Sequence, residues 1–395
     1  MKQIVKEKAN QVINILKEKR IDIWLTFVRE TSASSDPILP LIYGESDLTW
    51  DSALIFSANN EKVAIVGRFE LETVENTGAF DRVIPYDESI KPVLLQEIST
   101  LSPRQIAINV SKNDFLADGL SHGMYLKLME IFEDTVFKDQ IVSAEDVISA
   151  LRGRKTTGEI DLIRTAIDST LDIYGFAYEN IQLGMTEIEV ANMIRTEVDR
   201  RGLGYAWSKH NNPAVNAGPN SPVGHNAPTE IRIESGHLVH FDFGVKQDNY
   251  CADIQRMLYF LKPGEKEPPA AVQKGFDTVV EAVQAAFECI KPGLTGIEVD
   301  AVARSVITNA GYPEYKYATG HQLGRLAHDG GCILGPAWDR YGNTPFLLIE
   351  SGQIFTIEPG LMVPGYGYVG IEEDILVTEN GAVFLSPLQK ELILK

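Results

Sequence analysis

Val239-His240-Phe241-Asp242-Phe243-Gly244 runs on through Val245-Lys246-Gln247-Asp248-Asn249-Tyr250 to Cys251-Ala252-Asp253-Ile254. Two apolar stretches flank a polar turn, the pattern of a β-hairpin. A turn centred between Gln247 and Asp248 sets Asp242 opposite Asp253. Directly paired side chains have Cβ atoms about 4.5–5.5 Å apart. Two carboxylates that close repel, and an apolar strand leaves them poorly hydrated. A bound cation removes both penalties. Alternation also puts His240 on the face of Asp242, so His240 either supports that site or belongs to the core.

The pattern recurs. Ile354-Phe355-Thr356-Ile357-Glu358-Pro359-Gly360 leads through Pro364-Gly365-Tyr366-Gly367 to Val369-Gly370-Ile371-Glu372-Glu373-Asp374. A turn centred on Gly365 makes Glu358 and Glu372 cross-strand neighbours. Four carboxylates with histidines nearby suit two divalent ions about 3.5–4 Å apart. Oxygen-rich ligands favour Mn, with Fe, Co or Zn as alternatives. Three of the seven histidines stand out. His321 sits between Gly320 and Gly324, His328 follows seven residues later, and His225 lies in a turn-rich loop, residues 216–226. His122, His210 and His237 carry no such signal.

An internal repeat surrounds these hairpins. Gly184-Met185-Thr186-Glu187-Ile188-Glu189-Val190 and Gly293-Leu294-Thr295-Gly296-Ile297-Glu298-Val299 share five of seven residues, each 109 positions apart, as in Thr186 and Thr295. Thr followed three residues later by Glu is a capping box that starts a helix. Long helical patterns precede both copies, over 158–181 and 270–290, and both following helices end near a glycine, Gly202 and Gly311. Duplication into two related halves follows.

The first 150 residues read differently. A helical pattern over 3–20 is followed by strands at 21–27, 52–57, 62–67 and 105–110 and a helix at 120–132, an α/β texture. Between Arg29 and Trp50 lies a long loop, read as a lid or as a slack surface connection. The domains expected are residues 1–150 and 151–395. Lys plus Arg number 36 and Asp plus Glu 55, a net charge of −19, which repels phosphate backbones and anionic lipid. Nucleic acid and membrane are therefore poor partners. No apolar run approaches the ~20 residues of a membrane span. Three cysteines without CxxC spacing argue against a disulfide framework and for a reducing, cytoplasmic setting.

With these residues in view, the second domain resembles the M24 metallopeptidases, the pita-bread fold of methionine aminopeptidase, aminopeptidase P, prolidase and creatinase. The likeness covers residues 152 to about 390 and begins at Arg152-Gly153-Arg154-Lys155 with Glu159-Ile160. It implies a creatinase-like α/β N-terminal domain followed by an α+β pita-bread domain with an internal pseudo-two-fold duplication. The family's ligand order of Asp, Asp, His, Glu, Glu falls on Asp242, Asp253, His321, Glu358 and Glu372. By that resemblance Asp253 and Glu372 bridge both ions, Asp242 completes one, and His321 with Glu358 completes the other. Two non-ligand histidines of the family fall on His225 and His328. These three, His225, His328 and Glu358, are the expected catalytic residues, with Glu358 moving a proton and the histidines holding substrate. A homodimer is also implied.

Three motifs depart from the family's pattern. Gln255 and Met257 stand in Asp253-Ile254-Gln255-Arg256-Met257 where the family often has Thr. His328-Asp329-Gly330-Gly331 replaces His-Glu-x-Pro. Gly370 replaces an Arg two residues before the last ligand, with Arg325 as a candidate substitute. The leading expectation is a dinuclear Xaa-Pro aminopeptidase acting on short peptides. The alternatives are an Xaa-Pro dipeptidase, an M24-fold enzyme of a non-peptide small molecule, and a binding module of the kind that has lost its ligands.

Overall fold

The computed structural model describes residues 2–224 and 226–395. The chain divides into two compact units, Met1–Arg152 and Gly153–Lys395.

The first unit contains α1 (Lys2–Lys19), β1 (Ile23–Val28), α2 (Leu39–Ile42), β2 (Ser52–Ser57), β3 (Lys62–Gly67), α3 (Leu71–Glu75), β4 (Arg82–Tyr86), α4 (Lys91–Leu101), β5 (Ile106–Ile108), α5 (His122–Ile131), β6 (Ile141–Ser143) and α6 (Glu145–Gly153). Its six strands form one mixed sheet in the order β4-β3-β2-β1-β5-β6. Alternation sorts β1 between two cores. Trp24 packs with Val5, Val12 and Leu16 of α1, while Ile23, Leu25 and Phe27 pack with Leu94 and Ile98 of α4. Both faces are covered, so every residue of β1 is buried.

Residues 29–50 are not a slack connection. Ile38, Leu39, Leu41, Ile42, Tyr43 and Leu48 all enter the core. The Asp36 carboxylate accepts from Asn109 Nδ2 at 2.7 Å and from the Ile38 amide at 3.0 Å, and Thr31 Oγ1 accepts from the Leu48 amide at 2.8 Å. A segment rich in Ser and Pro reads as a loop locally, but its apolar residues and the polar side chains pinning it give it a fixed place.

The second unit contains α7 (Thr157–Asn180), α8 (Glu187–Arg200), β7 (Gly204–Tyr205), β8 (Ala214–Ala217), β9 (Leu238–Phe243), β10 (Val245–Gln247), β11 (Tyr250–Cys251), β12 (Ile254–Tyr259), α9 (Ala270–Cys289), α10 (Gly296–Asn309), β13 (Ile354–Ile357), β14 (Gly360–Val363), β15 (Gly367–Gly370), β16 (Glu373–Thr378), β17 (Gly381–Phe384) and β18 (Ile393–Leu394). The repeat is visible in three dimensions. Both α8 and α10 have 14 residues, and each starts with its capping box: Glu189 and Glu298 accept from the amides of Thr186 and Thr295, both at 2.8 Å. The glycines before them match too, since Gly184 N–H donates to the Ile233 carbonyl and Gly293 N–H to that of Ile349, each at 2.9 Å. Val272, Phe276, Val279 and Val283 recur at helical spacing and turn α9 onto Leu361, Val363 and Ile375 of the second half.

Candidate metal centre

Asp242 lies on β9 between two partner strands, opposite Ala214 of β8 and Gln255 of β12. The expected pairing with Asp253 is therefore two residues off. The turn is Asp248-Asn249, whose positive φ values of 49° and 69° give the primed turn that fits strand twist. Continuing the ladder from this turn sets Asp253 opposite Gly244, at the break between β11 and β12. A Cβ on Gly244 would lie 1.8 Å from the Ala252 carbonyl oxygen, so only glycine permits the pinch that delivers Asp253 inward. The two aspartates are neighbours through this pinch rather than as ladder partners, and the charge of Asp242 acts on the Asp253 carboxyl.

The second hairpin has the register expected. Ile357 pairs with Glu373 and Gly360 with Gly370. Glu358 and Glu372 fall in the gap between these ladders, freed from regular strand geometry. His321 arrives on a segment whose carbonyl accepts from the Thr356 amide at 2.9 Å and whose amide donates to Thr356 Oγ1 at 3.2 Å.

These five side chains converge. His321 Nε2 is 3.4 Å from Glu358 Oε1, 3.8 Å from Asp253 Oδ2 and 3.9 Å from Glu372 Oε1. Donor atoms of Asp253, His321 and Glu372 all lie within 4.8 Å of one another. Burial, then mutual repulsion, pushes the carboxyls of Asp253, Glu358 and Glu372 well above the usual carboxylate range, and burial pushes Asp242 up as well. Asp242 Oδ1, Asp253 Oδ1 and Glu372 Oε1 are buried oxygens without a hydrogen-bond partner. Buried, unpartnered oxygens clustered in this way fit divalent cations, whose charge and coordination answer both repulsion and lost hydration. One imidazole among carboxylates suits a hard or borderline ion.

His328 stands beside the cage, its ring edge-on to His321 with centroids 4.3 Å apart, and it is exposed. His225 lies outside the described residues. His240 is buried between Asn216 Oδ1, 3.0 Å from its Nδ1, and Gln255 Oε1, 2.8 Å from its Nε2. Burial lowers its pKa to about 4.

Arg325 does not replace the arginine expected at Gly370. Its guanidinium lies over the Tyr250 ring, 5.6 Å from the centroid. The space beside Gly370 is filled instead by Gln255, Tyr368 and His240, whose nearest atoms stand 2.5, 2.6 and 3.0 Å from where a Cβ would be.

Several contributors escape a reading of the sequence alone. Arg256 donates to both carboxylate oxygens of Glu373, at 2.9 and 3.0 Å, and to the Glu372 carbonyl at 3.2 Å, which fixes the backbone at Glu372 just ahead of β16. Asp374 is a further buried carboxylate; its Oδ2 accepts from the Asp253 amide at 3.3 Å. Tyr317 and Tyr368 share a hydrogen bond between hydroxyls at 2.5 Å, above Gly360. The Glu372-Glu373-Asp374 run signals the carboxylates, but it does not say which of the three point inward.

A model of metallopeptidase family M24 matches residues 161–379. The Xaa-Pro dipeptidase of Pyrococcus furiosus is 31% identical over 276 residues, covering 70% of this chain and 75% of that protein. Among solved structures, an Xaa-Pro dipeptidase from Bacillus anthracis superposes with a TM-score of 0.74 at 26% identity, covering 99% of this chain and 100% of that one. An X-Pro aminopeptidase from Thermotoga maritima MSB8 superposes with a TM-score of 0.70 at 25% identity, covering 98% and 99%. The chain belongs to metallopeptidase family M24. It has that family's architecture, an α/β N-terminal domain followed by a duplicated pita-bread domain, and membership implies use of a divalent metal.

Proposed function

We propose that the protein is a dinuclear metal-dependent exopeptidase that cleaves the bond between an N-terminal residue and proline. The observation that carries this reading is the complete donor set of Asp242, Asp253, His321, Glu358 and Glu372, with buried oxygens lacking partners, in a chain similar to Xaa-Pro peptidases along nearly its whole length.

Asp253 and Glu372 would bridge two ions, Asp242 would complete one, and His321 with Glu358 the other. Manganese is the metal we propose, from the predominance of oxygen donors. Ions held there lower the pKa of water and polarise a carbonyl oxygen. Glu358, at the edge of the cage with a side chain 18% exposed, takes the proton from the attacking water and returns it to the leaving proline nitrogen. Exposed His328 donates a hydrogen bond to the tetrahedral oxygen as charge develops. His225 is assigned the same kind of role from its place in the sequence.

Dipeptides are the substrates we place first, because Xaa-Pro dipeptidases stand among both the sequence relatives and the structural neighbours. The likeness to an X-Pro aminopeptidase supports a second reading in which longer peptides are accepted. Purified protein loaded with Mn²⁺ is to be assayed on Ala-Pro, Ala-Pro-Ala and Ala-Ala. Turnover of the first alone supports the dipeptidase, and turnover of the second supports the aminopeptidase. No turnover of either with any divalent metal refutes the proposal.

A further inference from the structure

Gln255 occupies a position where the two halves of the second unit meet in main-chain pairing beside the carboxylate cage. It bridges to Glu372 through reciprocal amide–carbonyl bonds of 3.4 Å. The residue is 5% exposed, and its side chain reaches a different carboxylate of the cage. Gln255 Nε2 donates to Glu358 Oε2 at 3.3 Å, while Glu358 Oε1 faces His321. The carboxylate of Glu358 is thus gripped on both oxygens, by an imidazole on one side and a neutral amide on the other.

The amide is itself held. Gln255 Oε1 accepts from His240 Nε2 at 2.8 Å, the neutral ring carrying its one proton there, and His240 Nδ1 stands 3.0 Å from Asn216 Oδ1. Asn216 Nδ2 in turn donates to Ser221 Oγ at 3.1 Å and to the Pro222 carbonyl at 2.8 Å. A buried file of side chains, Ser221, Asn216, His240 and Gln255, therefore leads to Glu358. Its path uses the room left by the missing side chain of Gly370, since a Cβ there would stand 2.5 Å from Gln255 Oε1. Glycine at 370 and glutamine at 255 are one structural arrangement.

We propose that Gln255 is a positioning residue for Glu358, orienting the carboxylate with an amide that His240 holds in place. This rests on the reading of Glu358 as metal ligand and proton carrier. An amide is well suited to this role, because it fixes direction by hydrogen bonding without adding a charge that would compete with bound cations. Glu358 without this partner keeps its place in the chain but loses the contact that sets its plane.

The test compares the full-length wild type with Gln255→Met, which keeps side-chain length and removes the amide. Gly370→Ala provides a second variant: it displaces the amide and leaves every functional group present. Two readouts are needed, Mn²⁺ affinity and stoichiometry by electron paramagnetic resonance titration, and kcat and KM on an Xaa-Pro peptide. Expected for both variants is a loss of about 10–100-fold in kcat or in affinity for the more weakly held ion, with KM nearly unchanged. Gln255→Met combined with His240→Leu should be no worse than Gln255→Met alone, because both act through one contact. Wild-type values of kcat and ion affinity in Gln255→Met overturn the proposal, as does a penalty for the double variant equal to the sum of the singles. If the wild type turns over no Xaa-Pro peptide, the substrate reading fails, and the Mn²⁺ titration still decides the role of Gln255.

Discussion

Glu358 and Glu372 face each other across the place where two β-ladders of one hairpin stop short of meeting, with Ile357–Glu373 paired on one side and Gly360–Gly370 on the other. An unbroken hairpin would spend both positions on regular pairing. The interruption turns two side chains toward the aspartates of the other half.

Metal removal is expected to be felt in stability as well as activity. Ligands that bind only the folded state stabilise it by about 2.7 kcal/mol at 100 times Kd. Adding Mn²⁺ to chelator-treated protein should raise the melting temperature. In Asp253→Ala the rise should vanish, and elemental analysis should find the ions depleted. An unchanged metal content in that variant would remove Asp253 from the cage.

His328→Ala should lower kcat by roughly 10²–10³ if it donates to the developing oxyanion, with metal content unchanged. Loss of metal in this variant would make His328 a ligand.

Arg256 and Glu373 form a buried ion pair, with side chains 5% and 0% exposed. Removing one partner strands the other, at a cost of about 3–5 kcal/mol. Arg256→Met should be severely destabilised in urea denaturation, and Arg256→Met with Glu373→Gln less so. A loss in the double variant equal to the sum of the two single losses would argue that the two residues do not act as a pair.

Glu197 accepts from Arg200 Nε at 2.7 Å and Arg201 Nε at 2.8 Å, and the Arg200 bond leads in drawing its pKa down from 4.5 to about 2. A carboxyl lowered in the folded state stabilises it fully above its unfolded pKa, and that contribution fades as pH falls from about 4.5 through about 2. Arg200 is 68% exposed, so solvent screening keeps the effect small. Glu197→Gln should be less stable than wild type at pH 7 and nearly equal to it at pH 2. A gap that stays constant with pH would point to packing instead.

Much of this architecture is legible in the sequence because it rests on local chemistry. The Thr186 and Thr295 caps, the helices they start and the turn at Gly365 all follow from short-range rules. The first hairpin differs from its expected register by two residues, because Gln247-Asp248 and Asp248-Asn249 are both plausible turns and only backbone twist chooses between them. Asp253 reaches the cage through a pinch at Gly244 that no periodicity announces. Gln255 and Gly370 look like separate departures in one dimension. Their dependence on each other is steric, set between residues far apart in the chain.

The main-chain join between the halves at Gln255 and Glu372 is long, 3.4 Å in both directions. Two aspartates sit on one side of that seam and His321, Glu358 and Glu372 on the other, so neither repeat carries the whole proposed donor set. Cations shared there would act as rivets, and the chain's cohesion along this line would rise and fall with the free metal concentration around it.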